Sequence, residues 1–196
     1  MIDYKIALGY ITILLACIAY LPYLFHVLSN KTRPHAFSWL VWSILSGIAF
    51  AASLVKQGGA GSWVAGFTAV TCLVIFLLSL WKGVKDFPLI DWICIALAGV
   101  SLVLWWLTKD PTLSVITIVV TDTLAFIPTF RKSYHNPSQE TASVYAIYFF
   151  IWILALFAVE SYSIATWLYP AYGIVANAAI VSFLVWRRRE LQSKSL

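Results

Sequence analysis

Apolar residues dominate seven long stretches of the chain, and short segments rich in proline, glycine or charge separate them. A helix that crosses the hydrocarbon core of a bilayer needs about 20 mostly apolar residues. Each stretch is close to that length, and the residues at the joints are those that end helices. The pattern predicts an all-α transmembrane protein with spans at about residues 5–27, 36–56, 62–81, 89–107, 112–130, 142–160 and 163–186.

The composition narrows the class of protein further. The chain is 62% hydrophobic and only 11% charged, whereas a soluble domain carries about 25% charged residues. This excludes a soluble enzyme and a disordered tail. The three cysteines, Cys17, Cys72 and Cys94, lie in apolar stretches without a second ligand type at metal spacing. We expect no metal site, no cofactor, no enzymatic activity and no nucleic-acid partner.

The basic residues predict the orientation in the membrane. With the amino terminus outside, ten of the thirteen Lys and Arg residues fall in the inner loops and the inner tail. Lys5, Lys56 and Lys109 remain outside. Cytoplasmic loops are the ones enriched in Lys and Arg, so we expect the amino terminus outside and the carboxyl terminus inside.

An internal repeat relates the two ends of the chain. The residues that recur at a spacing of 106 positions are Pro22 and Pro128, Asn30 and Asn136, Ala36 and Ala142, Trp39 and Tyr145, and Trp42 and Tyr148. Each half would then hold three spans, with the fourth span as a linker that gives both halves the same orientation. We predict a first triple-helix repeat at 1–86, a linker helix at 87–110 and a second repeat at 111–196.

This 3+1+3 pattern resembles the SWEET and PQ-loop transporter superfamily. A half in that superfamily often reads proline-glutamine, a basic stretch, serine-x-glutamate and a final serine. The matching residues here are Pro128, Arg131, Lys132, Ser138, Glu140 and Ser143 in the second half, and Pro22, Lys31, Thr32, Arg33 and Ser38 in the first. The resemblance implies a carrier that binds a small solute between two triple-helix bundles. Members such as the KDEL receptors imply the alternative, a ligand-binding membrane protein that does not transport.

Asp122 is the most informative single residue, because it lies near the middle of the fifth stretch. A carboxylate at this depth is costly unless it is paired, hydrated or protonated, so it is usually retained for a function. We expect it to contact the solute and to carry a proton. The alternative is a structural hydrogen bond to a neighbouring threonine or helix. The equivalent position in the first half is Ala16.

Other polar and aromatic residues are candidates for the solute site. Asn177 offers two donors and an acceptor within the seventh stretch, and Thr71 is near the equivalent position. Ser46 aligns with Trp152, and either could line a central cavity. The pairs Trp39 with Trp42 and Tyr145 with Tyr148 each share one helix face. We predict Trp42 and Tyr148 as solute contacts and Trp39 and Tyr145 as gate residues, with interfacial belts as the alternative.

Pro22 and Pro128 occupy equivalent places near the inner ends of their stretches. Proline removes a backbone hydrogen bond and kinks a helix, so both are predicted hinges of an inner gate. We therefore expect a transporter of a small polar solute (a sugar, amino acid, vitamin or nucleoside) that works by alternating access. The expected location is a plasma membrane, of the bacterial inner-membrane type, with the chain as a monomer or homo-oligomer.

Overall fold

Seven α-helices make up almost all of the described chain. The computed structural model describes residues 3–30, 34, 36–83, 89–135, 137 and 142–193. The helices are α1 (Tyr4–Leu28), α2 (Ala36–Val55), α3 (Trp63–Lys82), α4 (Leu89–Thr108), α5 (Thr112–His135), α6 (Ala142–Phe157) and α7 (Ile164–Ser193), with a 3₁₀ turn at Gly59–Ser62 before α3. These ranges contain no strand. The predicted all-α class and the seven helices are confirmed.

Several residues of the predicted loop motifs lie outside the described residues. These are Lys31, Thr32, Arg33, Lys85, Asn136, Ser138 and Glu140.

Six of the described helical segments are long and apolar enough to cross a membrane, judged by length and composition. The remaining helix, α6, is also apolar but has only 16 residues. Large apolar side chains such as Leu14, Phe25, Val70 and Trp106 are more than half exposed on the outside of the helices. An aqueous surface rarely carries so much contiguous apolar area. The fold is therefore that of a multi-pass, membrane-embedded helical protein.

Three helices end at places that differ from the sequence prediction. The predicted sixth span reaches residue 160, but α6 ends at Phe157 because residues 158–160 turn away to bond with the 58–61 segment. Helices α5 and α7 instead continue several residues beyond their apolar stretches. In α7 the extension includes an Arg187–Glu190 ion pair one turn apart, with N and O 2.6 Å from each other. Charged residues end an apolar stretch without ending a helix.

Helix packing follows the same scheme in both halves of the chain. In the first half, α3 packs against α1 and α2, and in the second half α7 packs against α5 and α6. The halves meet where α1 packs against α6 and α2 packs against α5. Helix α4 packs on α5 and α2. Small and branched residues such as Ala16, Leu45, Ile118 and Ile151 are fully buried at the centre.

The two ends of the helix assembly differ in their chemistry. At one end, which we call the basic face, the Lys82 ammonium donates to the carbonyl of Leu28 at 2.7 Å. The equivalent bond of the second half runs from Arg187 Nε to the carbonyl of Tyr134 at 2.8 Å. Both bonds connect the end of the third helix of a half to the end of its first helix, so each half is tied within itself.

At the opposite end, which we call the joint face, hydrogen bonds connect the two halves to each other. The amide of Glu160 donates to the carbonyl of Gly58, and the amide of Gly61 donates to the carbonyl of Ala158, both at 3.1 Å. The Lys5 ammonium adds a bond to the carbonyl of Val159 at 2.9 Å. The joint face is thus closed by contacts between residues of the first half and the segment that follows α6.

Gly59 shows how tightly this closure is packed. Its φ angle is +60°, in the left-handed region that glycine adopts without strain. A Cβ atom at this position would lie 2.1 Å from the carboxyl carbon of Glu160. The left-handed φ angle favours glycine where the two segments cross, and a side chain there would also displace the Glu160 carboxylate.

Candidate functional site

A buried polar contact joins the two halves in the middle of the helix assembly. Asp122 of α5 is only 6% exposed. The indole Nε1 of Trp42, on α2, donates a hydrogen bond to its Oδ1 atom at 3.2 Å. The interface between α2 and α5 is therefore held at this depth by a carboxylate and a neutral donor.

Two tyrosines of α7 surround the same carboxylate. The phenol groups of Tyr169 and Tyr172 both interact electrostatically with Asp122. Their rings lie 6.3 Å apart, centroid to centroid. The Tyr172 hydroxyl is buried and has no partner of hydrogen-bond geometry among the described residues. We call the group of Trp42, Asp122, Tyr169 and Tyr172 the acidic cluster.

Trp152 and Ser46 border the acidic cluster. The Trp152 ring meets the Tyr169 ring edge to face, with centroids 5.4 Å apart, and Ser46 interacts with the Tyr169 hydroxyl. Gly173 allows the indole to lie against α7, because a Cβ there would be 2.6 Å from ring atoms of Trp152. Trp152 and Ser46 are 5% and 1% exposed, so both lie inside the assembly.

A second contact between the halves lies where α1 meets α6. The rings of Tyr20 and Tyr148 meet edge to face with centroids 5.6 Å apart. The Tyr20 hydroxyl contacts Cys72 Sγ of α3 at 3.6 Å. The Tyr148 hydroxyl is buried without a partner of hydrogen-bond geometry in the described part of the chain. We call Tyr20, Cys72 and Tyr148 the phenol cluster.

Trp39 connects the two clusters. Its ring lies 5.4 Å from that of Trp42 and 6.2 Å from that of Tyr20, centroid to centroid. It is half-buried, one turn nearer the basic face than Trp42. An unbroken line of aromatic rings therefore runs from the phenol cluster to the acidic cluster.

The two predicted hydrogen-bonding residues of the third helices do not join either cluster through a hydrogen bond that the structure describes. Asn177 is buried, and its Nδ2 donates to the carbonyl of Gly173 in its own helix at 2.8 Å. Thr71 is also buried, and its hydroxyl donates to the carbonyl of Phe67 at 2.9 Å. Their role as solute ligands stays a prediction.

The predicted gate residues lie towards the basic face. Pro22 is inside α1 with its ring exposed, and Pro128 is inside α5. Tyr145 is half-buried in the first turn of α6. Helix α7 contains a further internal proline, Pro170, next to Tyr169. Pro170 is not among the predicted hinges.

Sequence reasoning missed Tyr20 and Tyr169. The signal that could have found Tyr169 is its helical spacing: Tyr169, Gly173 and Asn177 follow one another at four-residue intervals and so share a face. Tyr20 gave no comparable signal, because its equivalent in the second half is Phe126, one aromatic residue among many.

No family model, no curated protein and no solved structure matches the chain.

In chemical terms, the acidic cluster can accept a proton or a positively charged group at Asp122 and can pack flat or cationic groups against its rings. Among the described residues, no three His, Cys, Asp or Glu side chains come together in a group that could hold a metal ion.

Proposed function

We propose that this protein is a membrane carrier for a small solute, built as a 3+1+3 arrangement of two triple-helix bundles and a linker helix. The packing scheme supports the arrangement: the third helix of each half lies against its first and second, and the cross-contacts α1–α6 and α2–α5 exchange equivalent helices. The matched bonds Lys82–Leu28 and Arg187–Tyr134 support a repeat with a common orientation. This is the architecture that the resemblance to the SWEET and PQ-loop superfamily implies.

The observation that carries the proposal is the Trp42–Asp122 hydrogen bond, because it lies between the two bundles and at mid-depth. Carriers with parallel repeats bind their solutes near the midplane at the repeat interface. A buried acid at this interface has a structural cost that a solute-binding or proton-carrying role explains. The solute would bind at the acidic cluster and reach either side as the bundles rock.

The closed joint face and the bonds within each half at the basic face support one assignment of the two faces to the two sides of the membrane. The joint face, where the halves bond to each other, would be the outer side, and the basic face would be the inner side. The excess of Lys and Arg at the basic face favours this assignment. In the described state the solute path would then be shut towards the outside.

Asp122 would also couple transport to protons in this proposal. The titratable groups that interact with it are neutral hydroxyls and thiols, and no basic side chain is among them. These groups are Cys72 of α3, Cys94 of α4, and Tyr169 and Tyr172 of α7. A proton is therefore a chemically simple way to neutralise the carboxylate when the solute is absent.

Uptake into proteoliposomes tests the proposal with four labelled probes: glucose, lysine, choline and uridine. We expect at least one probe to enter faster than into protein-free vesicles, with a rate that depends on an imposed pH gradient. Asp122→Asn should reduce the gradient-dependent part to the level of protein-free vesicles, because the variant has no group that can take up the proton. Asp91→Asn, at a buried acid of α4, is the matched control.

Retention of a probe at one molecule per chain without multiple turnover would support the receptor alternative and contradict the carrier. Full gradient-driven uptake by Asp122→Asn would leave a carrier but remove the proton from its mechanism.

A further inference from the structure

The charge balance of the acidic cluster points to the kind of solute that it would bind. Trp42 donates the hydrogen bond that the structure describes for Asp122, and Tyr169 interacts with the same carboxylate; neither carries a positive charge. The apolar stretches that form the seven helices contain no Lys, Arg or His at this depth. A buried carboxylate is normally compensated by a cation, and the described residues provide none.

The walls of the cluster are suited to a cation. Trp42, Tyr169 and Tyr172 are aromatic, and Trp152 packs edge to face on Tyr169. The faces of aromatic rings carry negative potential and attract ammonium groups, most strongly when both partners are shielded from water. The buried oxygen of the Tyr172 hydroxyl, which also interacts with the Thr123 side chain, supplies one further acceptor.

Other solute classes fit this surface less well. An anion would meet the Asp122 carboxylate as a like charge. A sugar requires many donors and acceptors to replace its hydration, whereas the polar groups of the cluster are one carboxylate, one indole N–H and two phenols. A neutral solute would require a proton on Asp122 as well, whereas a cation compensates the charge of the carboxylate directly.

We propose that the solute is a monovalent organic cation, a quaternary ammonium or a protonated amine, held against Asp122 between the rings of Trp42, Tyr169 and Tyr172. The inference rests on the proposed carrier function for access to the site, and it names the solute class. Because a proton and the cation would use the same carboxylate, each would exclude the other, and the protein would exchange one for the other.

Equilibrium binding to the detergent-purified full chain tests the solute class separately from transport. The probes are two cations with neutral partners of similar shape: choline with 3,3-dimethyl-1-butanol, and benzylammonium with benzyl alcohol. We expect at least one cation to bind at least about ten-fold more tightly than its neutral partner, since charge pairing and cation–π attraction act only on the cation.

Five variants locate the binding site. Asp122→Asn should weaken binding of the cation at least about ten-fold, whereas Asp122→Glu, which keeps the charge, and Asp91→Asn should not. Trp42→Leu should weaken binding of the cation because a ring face is lost. Tyr172→Phe keeps the ring face and loses only the hydroxyl, so it should weaken binding less than Trp42→Leu does. Unfolding midpoints of all variants without ligand show whether the fold is intact.

The outcomes separate this inference from the carrier proposal. Binding of neither cation, equal binding of the neutral partners, or unchanged cation binding by a folded Asp122→Asn variant would overturn the cationic solute. Uptake of glucose or uridine could still support a carrier in that case. Conversely, charge-selective binding that is lost in Asp122→Asn, without uptake into vesicles, would support the cation site and contradict transport.

Discussion

The two interfaces between the bundles occupy equivalent places and have different chemistry. Where α2 meets α5, an indole donates to a carboxylate. Where α1 meets α6, two phenol rings meet near a thiol. At the repeat spacing, Asp122 corresponds to Ala16, which is fully buried. The two interfaces thus differ at aligned positions, and Asp122 gives one of them an acidic group.

A second difference between the two halves lies close to the first. In the second half, Trp152 lies against Gly173. The residue of the first half that aligns with Trp152 is Ser46, so the second half has the larger side chain at this place. Through its contact with Tyr169, the tryptophan borders the carboxylate.

The most severe test of this comparison is to place a second acid in the neutral interface. Ala16→Asp should lower the free energy of unfolding by about 3 kcal/mol, because it places a carboxylate at a fully buried position inside the membrane-embedded assembly. Ala16→Asn, of the same size without the charge, is the control. Denaturant unfolding in detergent measures both, and equal stability of the two variants would show that the two interfaces have the same tolerance for charge.

The small residue beside Trp152 provides the next test. Gly173→Ala should lower the free energy of unfolding by about 2 kcal/mol, since its Cβ would overlap the indole ring and overpacking is costly. Gly99→Ala is the matched control, because nothing lies within 4 Å of a Cβ at that helical position. It should raise stability by up to about 1 kcal/mol. A stable Gly173→Ala protein would show that Trp152 is free to move.

A pair of substitutions to phenylalanine compares the polar groups of the two interfaces directly. Trp42→Phe removes the donor to Asp122 and should lower the free energy of unfolding by about 1.5 kcal/mol, as expected for a hydrogen bond to a charged group. Tyr148→Phe removes a buried hydroxyl that interacts with Tyr20 and Thr68 but makes no hydrogen bond of good geometry, and it should change stability by less than about 0.5 kcal/mol. Thermal unfolding compares the two, and the reverse order would contradict the assignment of the bonds.

The smallest effect is expected at the joint face, where Asp110 precedes α5. The backbone amide of Thr112 donates to its carboxylate at 2.9 Å, and this bond, more than the nearby Lys56 ammonium, lowers the pKa of Asp110 below its usual value. A lowered pKa means that the folded state favours the ionised form. The stabilisation is therefore present above the ordinary carboxyl pKa and is lost as the pH falls through the lowered one.

Asp110→Asn should abolish this acid-side loss, which unfolding curves at a series of acidic pH values would detect. The variant also serves the comparison of the interfaces. A pH dependence of stability that remains in Asp110→Asn must come from another group, and Asp122 is the first residue to examine. If the stability of Asp110→Asn depends on pH as that of the unaltered protein does, the Thr112 bond has no stabilising role.

The sequence predicted the helices well because apolar stretches and their breakers are local features. Asp122 was equally visible, as the sole acid in a long apolar stretch. The end of α6 was not visible in the sequence, since it depends on bonds to the distant 58–61 segment. Tyr169 and Tyr20 were missed for a related reason: in a chain with ten tyrosines, only the packing of the helices separates those in a cluster from those that face lipid.

The paired amide bonds of the joint face also have a kinetic consequence. Opening this end would break the bonds of Glu160 and Gly61 together, because each donates to the segment that carries the other. Their N–H groups would then exchange with deuterium in water only as often as the end opens. The exchange rates of these two backbone amides therefore measure how often the joint face opens, and the measurement needs no attached label.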